Sequence, residues 1–431
     1  MKYKTILFDL DGTLTRSEQG ITRSALYAAE RMGYTGLTER DFLPFIGPPL
    51  HDSFRRMLGM DDEQAQRATE LYRERFSRVG WAENEVYAGV PALLRSLTQN
   101  GARVAMATAK PQVFAERIAA HFGLAPYLSG VIGPAEGERH ASKADIVRRA
   151  LERFGGPAVM VGDRCYDVEG GAANGVDTIG VAYGYGSREE LERAGATAVA
   201  DTVEELGALL LGDAPRARGL FVSMEGMDGC GKTTQREALV SHLAQRGWEV
   251  QVTREPGGDG IAEKIRALIL DPANTEMTDV TEAYLYAASR AQNVRTRIRP
   301  ALCRGMAVVC DRFVDSSAAY QGGGRRLDAQ RVLALNAAAV DGETPDVTVY
   351  LRMTPEAALA RRLSAGEPDR LEREQMDFYE RTFAAYEALY AGEAGARVVT
   401  VNAAQPIEAV TRDMLAAVDA RLAALAGAAQ G

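Results

Sequence analysis

Leu220-Phe221-Val222-Ser223-Met224-Glu225-Gly226-Met227-Asp228-Gly229-Cys230-Gly231-Lys232-Thr233-Thr234 decides the fold of the second half of the chain. An apolar run reads as a buried strand. A glycine loop of the form GxxxxGK[ST] follows it, and an amphipathic helix is predicted over Gln235–Gln245. A loop between strand and helix can wrap a phosphate in backbone N–H groups. Lys232 then neutralises β/γ charge, and Thr233 offers a hydroxyl to Mg²⁺.

Outward from this loop, further strand ends carry chemistry. Arg254-Glu255-Pro256-Gly257-Gly258 follows the strand-like Glu249–Thr253 and sets a guanidinium where a second phosphate fits. Tyr286 and Arg290 lie four apart on a helical stretch and share a face, a ring to stack on a base and a cation to hydrogen-bond it. Asp311-Arg312-Phe313 closes the run Met306–Cys310, a place for a Mg²⁺-associated carboxylate and a phosphate-binding arginine. Ser316-Ser317-Ala318-Ala319-Tyr320-Gln321-Gly322 adds polar groups beside the same strand end.

The first half repeats the logic with different residues. Thr5-Ile6-Leu7-Phe8 runs into Asp9-Leu10-Asp11-Gly12-Thr13. A carboxylate there can attack phosphorus when Mg²⁺ draws charge off the phosphoryl oxygens, and a second can protonate the leaving oxygen. Thr108 ends the run Arg103–Ala107, Lys143 opens a helical run, and Gly162-Asp163-Arg164-Cys165-Tyr166-Asp167 follows the strand-like Ala158–Val161 with hard oxygen ligands. Residues 16–90 carry helical spacing with little β signal and read as a helical insertion.

Alternating strands and helices predict two doubly wound parallel-sheet α/β domains, 1–212 and 219–431, joined by a polar, exposed linker at 213–218. The halves show no evident repeat of one another. With 431 residues, 46% apolar and 25% charged, the chain can build two cores without disulfides or metal staples. Fifty Lys and Arg against fifty-nine Asp and Glu leave −9, a poor balance for a nucleic-acid or anionic-membrane binder, so neither partner is expected. Cys165, Cys230, Cys303 and Cys310 are scattered, so no zinc site or disulfide framework is expected. No apolar run reaches membrane-spanning length, and the N-terminus enters a strand without a signal pattern, so the expected location is the cytoplasm.

The motifs of the first half, in this order and all at strand ends, resemble the four motifs of the haloacid-dehalogenase superfamily of phosphohydrolases, over residues 1 to about 211. The likeness is to the phosphoglycolate-phosphatase-like and 5′-nucleotidase-like branch, a Rossmann-like core with a helical cap, and residues 16–90 match that cap. It implies Asp9 as the nucleophile of a phosphoaspartate pathway and Asp11 as acid/base. Thr108 and Lys143 would bind phosphate, and Asp9, Asp11, Asp163 and Asp167 would surround Mg²⁺. Phe45-Ile46-Gly47-Pro48-Pro49 is similar to a cap loop that faces the active site. The substrate is an unidentified small phosphomonoester.

The second half resembles thymidylate kinase, a P-loop nucleoside monophosphate kinase, over about 219–425. The carrying motifs are the glycine loop with Asp228 at its third position, REPGG, the Tyr286–Arg290 helix, DRF, AYQG and Asp369-Arg370-Leu371-Glu372. The resemblance implies that Gly226, Met227, Asp228, Gly229, Cys230, Gly231, Lys232, Thr233 and Thr234 bind ATP. Asp228 would lie near the sugar 3′-hydroxyl, and Arg254 and Arg312 would grip the dTMP phosphate. Tyr286 would stack on the base, Arg290 read a thymine carbonyl, Tyr320 crowd a ribose 2′-hydroxyl, and Gln321 lie by the base. Thr233 and Asp311 would serve Mg²⁺. Gly229 and Cys230 leave the loop without an arginine, so the transition-state arginine comes from the lid, where Arg361, Arg362, Arg370 and Arg373 stand; Arg361 or Arg370 is expected. Ser364-Ala365 fall where related lids often carry another arginine. Pairing as a homodimer through the kinase half follows from the likeness. The expectation is a bifunctional dTMP kinase and phosphatase; the competing reading is a kinase for another nucleoside monophosphate with a first half that senses or docks with little turnover.

Overall fold

The computed structural model describes residues 1–428 except 48, 136–137, 139–140, 364–369 and 372–373. The chain divides into two compact units, built on Met1–Ala217 and on Arg218–Ala244 with Trp248–Ala424.

In the first unit the strands are β1 (Thr5–Phe8), β2 (Thr15–Arg16), β3 (Glu85–Val86), β4 (Arg103–Ala107), β5 (Gly130–Ile132), β6 (Ala158–Gly162), β7 (Asp177–Val181) and β8 (Ala198–Ala200). Six of them form one sheet in the order β5-β4-β1-β6-β7-β8, every pair parallel. All of β1 and β6 is buried, which is why both read as unbroken apolar runs. The chain winds to one side of β1 through β4 and to the other through β6, so the end of β1 is the point where the topology reverses and a ligand crevice opens.

The insertion holds three α-helices, Glu18–Arg31, Leu50–Leu58 and Asp62–Arg78, around its own apolar core of Phe42, Phe45, Phe54, Tyr72 and Phe76. Its helices were legible by spacing. Its hinge was not: β2 and β3 pair antiparallel, Thr15 against Val86 and Arg16 against Glu85, two residues a side and too short to leave a period.

The second unit contains β9 (Phe221–Glu225), β10 (Val250–Arg254), β11 (Ala307–Asp311), β12 (Val347–Arg352) and β13 (Val398–Asn402). They make a parallel sheet in the order β10-β11-β9-β12-β13, with β9 fully buried at its centre. The helix after the glycine loop runs Lys232–Gln245, starting three residues before the sequence expectation because the last loop residues already turn.

The linker is less free than its composition suggests. Ala217 is buried and donates its N–H to Ser96 Oγ at 2.9 Å, while Asn100 donates to the Pro215 carbonyl at 2.8 Å. Arg218 pairs with Asp346 at 2.9 Å and Glu343 at 3.1 Å. Among the described residues no helix is long and apolar enough to cross a membrane.

Candidate active sites

At the end of β1, the Asp9 carboxylate lies 2.9 Å from Lys143 Nζ, and the same ammonium is 2.6 Å from Asp167. Asp163 completes a group: one oxygen each from Asp9, Asp163 and Asp167 lie within 4.8 Å of one another. The loops from β1, β6 and β7 converge here. Asp163 accepts from the Tyr185 N–H at 2.8 Å and from Thr13 Oγ1 at 3.3 Å. Gly12, at φ +80°, could carry no side chain, since a Cβ would lie 2.1 Å from Asp163 Oδ2. Thr108 is buried at the end of β4 and accepts from the Lys110 N–H at 3.2 Å.

Three clustered carboxylates, with one ammonium against two of them, leave negative charge in a largely buried place. Burial, then Asp167 and Asp9, push the Asp163 carboxyl well above the ordinary range. Burial first, with Asp9 adding to it against the pull of Lys143, pushes Asp167 up to about 6. Lys143 is raised although burial opposes it, because Asp167 and Asp9 prefer it charged. Such a set of hard oxygen donors, held together against their own repulsion, fits a small divalent cation such as Mg²⁺.

Asp11 stands outside that group of three: one oxygen of its carboxylate lies 2.6 Å from Lys110 Nζ, and Lys110 in turn lies over the Phe76 ring of the insertion at 5.0 Å. Lys110 was missed, although it stands two residues after Thr108 in Thr108-Ala109-Lys110-Pro111. Arg164 was missed too. It donates from Nη1 to the Ile46 carbonyl at 3.2 Å and from Nε to Glu190 at 2.9 Å, so the Phe45–Gly47 loop faces the acidic group's own loop. Pro48 lies outside the described residues.

In the second unit the glycine loop leaves β9 through Gly226 at φ +136°, where a Cβ would lie 2.7 Å from the Leu351 carbonyl. Gly229 and Gly231 are also left-handed, at φ +88° and +92°. Lys232 Nζ donates to the Gly226 and Met227 carbonyls at 3.0 and 2.8 Å, and Thr233 and Thr234 stand exposed at the helix start. Cys230 is buried, and burial raises its thiol pKa. Asp228 meets Arg312 Nη2 at 2.6 Å and accepts from the Tyr320 hydroxyl at 3.1 Å. Burial opposes its charge, but Arg312 and then Lys232 hold its carboxyl well below the usual range. Asp311 ends β11 with Arg236 3.4 Å away.

Arg312 takes a left-handed φ of +69°, costly for a residue with a Cβ. Glu225, fully buried at the end of β9, holds the turn by accepting from the Phe313 N–H at 2.7 Å and Ser316 Oγ at 2.5 Å. Burial, with Asp315 adding to it, pushes Glu225 up to about 7. An acidic residue closing a largely apolar, fully buried strand was the available signal for it.

The helix Asp279–Asn293 faces the segment that carries Ser317 and Gln321. Arg290 is fully buried and densely engaged: Nε reaches Glu255 at 2.7 Å, Nη2 the Phe313 carbonyl at 3.1 Å, and Nη1 both Ser317 Oγ at 3.2 Å and Asn336 Oδ1. It thus spends most of its five N–H groups on the protein. Tyr286 is half-buried on the same face. Gln321 donates from Nε2 to Glu282 Oε1 at 2.9 Å. Arg254 ends β10 and pairs with Glu263 at 2.9 Å, half-exposed.

The two favoured lid arginines sit differently. Arg361 donates to the Ala403 carbonyl at 3.0 Å. Arg370 donates to Glu282 at 2.5 Å and to the Ile269 carbonyl at 2.8 Å, so acting on a phosphoryl group requires it to leave Glu282. Ser364, Ala365, Asp369, Glu372 and Arg373 lie outside the described residues, as does the Arg362 side chain.

Residues 224–414 match the family model for thymidylate kinase, and residues 3–175 that for haloacid dehalogenase-like hydrolase. The chain is 45% identical over 197 residues to the thymidylate kinase of an Exiguobacterium species, covering 46% of this chain and 92% of that protein. It is 48% identical over 196 residues to that of Lactobacillus delbrueckii subsp. bulgaricus, covering 45% of this chain and 92% of the relative. Among solved structures, a "predicted phosphatase" from Clostridium acetobutylicum is 40% identical with a TM-score of 0.47, covering 49% of this chain and 100% of that one.

Proposed function

Since the chain belongs to the thymidylate kinase family and carries a haloacid dehalogenase-like hydrolase segment ahead of that match, we propose a bifunctional enzyme. The second unit transfers the γ-phosphoryl group of ATP to dTMP, giving dTDP and ADP. The first unit hydrolyses a small phosphomonoester through a phosphoaspartate on Asp9.

The observation carrying the kinase reading is the Asp228–Arg312–Tyr320 cluster beside the Lys232 loop. Phosphate entering the loop takes Lys232 from its two backbone carbonyls, and the loop's N–H groups orient the chain of phosphates. Arg312 and Arg254 grip the acceptor phosphate, with Asp228 setting the pose of Arg312 and lying by the sugar 3′-hydroxyl. Tyr320 closes the space beside the sugar C2′. Tyr286 stacks on the base while Arg290 and Gln321 bond its edge. Positioning and charge neutralisation carry the chemistry, completed by a lid arginine, Arg361 or Arg370. Thr233 and Asp311 hold Mg²⁺, which offsets phosphate charge when bound.

In the first unit the carrying observation is Asp9 at the sheet's reversal point among Asp163, Asp167 and Lys143. Asp9 attacks phosphorus, the ester P–O bond breaks, and the leaving oxygen takes a proton from Asp11; a water activated by Asp11 then cleaves the acyl phosphate. Thr108 and Lys143 hold the phosphoryl oxygens. Asp9, Asp163 and Asp167 would hold Mg²⁺, which supplies charge neutralisation at the reacting centre. Pairing of two chains through the second unit is supported by exposed Ile261 and Leu268 on one helix and Val280 and Tyr284 on another. Four free thiols suit a reducing cytoplasm.

Product assays with ATP and a panel of nucleoside monophosphates test the kinase, with dTMP expected to be preferred. Phosphate release from dTMP, other nucleoside monophosphates, phosphoglycolate and sugar phosphates tests the phosphatase. A fused phosphatase that consumed dTMP would drain the kinase's substrate, so kcat/KM for dTMP hydrolysis should fall at least roughly tenfold below that of the best substrate. dTMP emerging as the preferred ester would instead mark an opposing pair.

A further inference from the structure

Glu282, Tyr286 and Arg290 are spaced four apart on the helix Asp279–Asn293 and share one face. Ser317 and Gln321, also four apart, face them, and two rungs join the elements: Arg290 to Ser317 at 3.2 Å and Gln321 to Glu282 at 2.9 Å. Tyr286 stands between the rungs, one helical turn from each.

Glu282 touches the residues proposed to meet the base only through Gln321; its other partners are Arg325 and the lid candidate Arg370. It is fully buried and takes hydrogen bonds from two guanidiniums, Arg325 through Nε at 3.3 Å and Nη2 at 3.1 Å, and Arg370 at 2.5 Å. Flanked by two cations it is a carboxylate, and a carboxylate only accepts. The Gln321 amide must therefore turn its NH₂ toward Glu282 and its carbonyl the other way. That carbonyl oxygen, Oε1, is buried and has no hydrogen-bond partner among the described residues, while the side chain is 1% exposed. A buried acceptor kept unpaired in an otherwise satisfied network is accounted for by a donor that arrives with a ligand.

We infer that Glu282 is a positioning residue for base selection: by fixing the Gln321 amide it presents an acceptor to a ring N–H and so favours imide bases over cytosine. The inference rests on the kinase reading above, in which Gln321 lies by the base. Thymine and uracil carry a donor at N3, where cytosine carries an acceptor. The opposite amide orientation would suit cytosine, and only the residue behind Gln321 decides between them.

The test is steady-state kinetics of the full chain with dTMP and dCMP, for Glu282→Gln, Gln321→Met and the double variant. In Glu282→Gln a neutral amide can donate to Gln321 as well as accept, so the bias is lost. The dTMP:dCMP ratio of kcat/KM should drop on the order of 10², with the KM for ATP unchanged and no further drop on adding Glu282→Gln to Gln321→Met. A Glu282→Gln variant that loses both activities in equal proportion overturns the proposal, since the residue then only holds Arg325 and the lid. If Gln321→Met leaves the ratio intact, Gln321 does not read the ring and the underlying reading fails with it. Should Glu282→Gln not fold, ¹⁵N NMR of the intact protein decides. A Gln321 side-chain NH₂ slow to exchange with solvent supports the lock, and a rapidly exchanging one overturns it.

Discussion

The two proposed phosphate sites stand at the same address in two sheets, the carboxyl end of a central strand, yet they are built from opposite materials. At the end of β1 three carboxylates crowd together, two of them against one ammonium. At the end of β9 a glycine loop, Lys232 and Arg312 surround a single Asp228. In the proposed function the first site keeps excess negative charge because one of its carboxylates would become a covalent partner of phosphorus. The second would need no nucleophile of its own and would spend its residues on holding two substrates. A parallel sheet therefore dictates where phosphate chemistry happens and leaves its type to about a dozen side chains.

Crossed substitutions are the hardest strain on this contrast. Asp9→Asn should lower phosphatase kcat by at least about 10⁴ while the kinase is untouched. Lys232→Ala should lower kinase kcat by roughly 10²–10³ and leave phosphate release alone. Crossed losses of similar size would mean that the two sites do not work independently.

The lid arginines sharpen the second half of the comparison. Whichever of Arg361 and Arg370 meets the transition state should lose about 10³–10⁵ in kcat as alanine, with little change in the KM for dTMP. The other, an anchor, should change KM more than kcat. Near-normal kcat in both would return the assignment to the arginines outside the described residues.

Smallest is a stability effect of the acidic site. Asp167 is raised to about 6 in the folded protein, against about 4 when unfolded. Between those values the folded state holds the extra proton, so metal-free stability contributed by this group falls as pH rises through the window. Mg²⁺ should restore it above the window. Calorimetry with Mg²⁺ or EDTA should show a rise of several degrees in one melting step at pH 7.5, shrinking as pH drops through about 6 and absent in Asp163→Asn. An increment independent of pH would place the cation elsewhere.

Sequence made the strand ends legible because phosphate chemistry compresses into short contiguous runs: Asp9 to Thr13, Gly226 to Thr233, Asp311 to Phe313. It left unread the partners that topology brings from far away. Asp11 was legible as a second carboxylate beside Asp9, but only the folded chain shows Lys110 against it. Arg290 was legible as a cation on the same helix face as Tyr286, yet its ties to Glu255, Asn336 and Phe313 depend on three other segments. Glu282 went unread, since nothing local marks a carboxylate that two distant arginines will bury.

The two-residue ribbon of β2 and β3 has a further meaning. Because the insertion enters and leaves the core at adjacent points, closing it costs little chain entropy however long it grows. Its apolar core is largely its own, with Phe114 and Tyr185 from outside the insertion packed against it. Such a module can drift, lengthen or be exchanged in evolution while β1 and its acidic group stay fixed. In the proposed hydrolase, whatever the insertion contributes to the site is thus heritable separately from the acidic group.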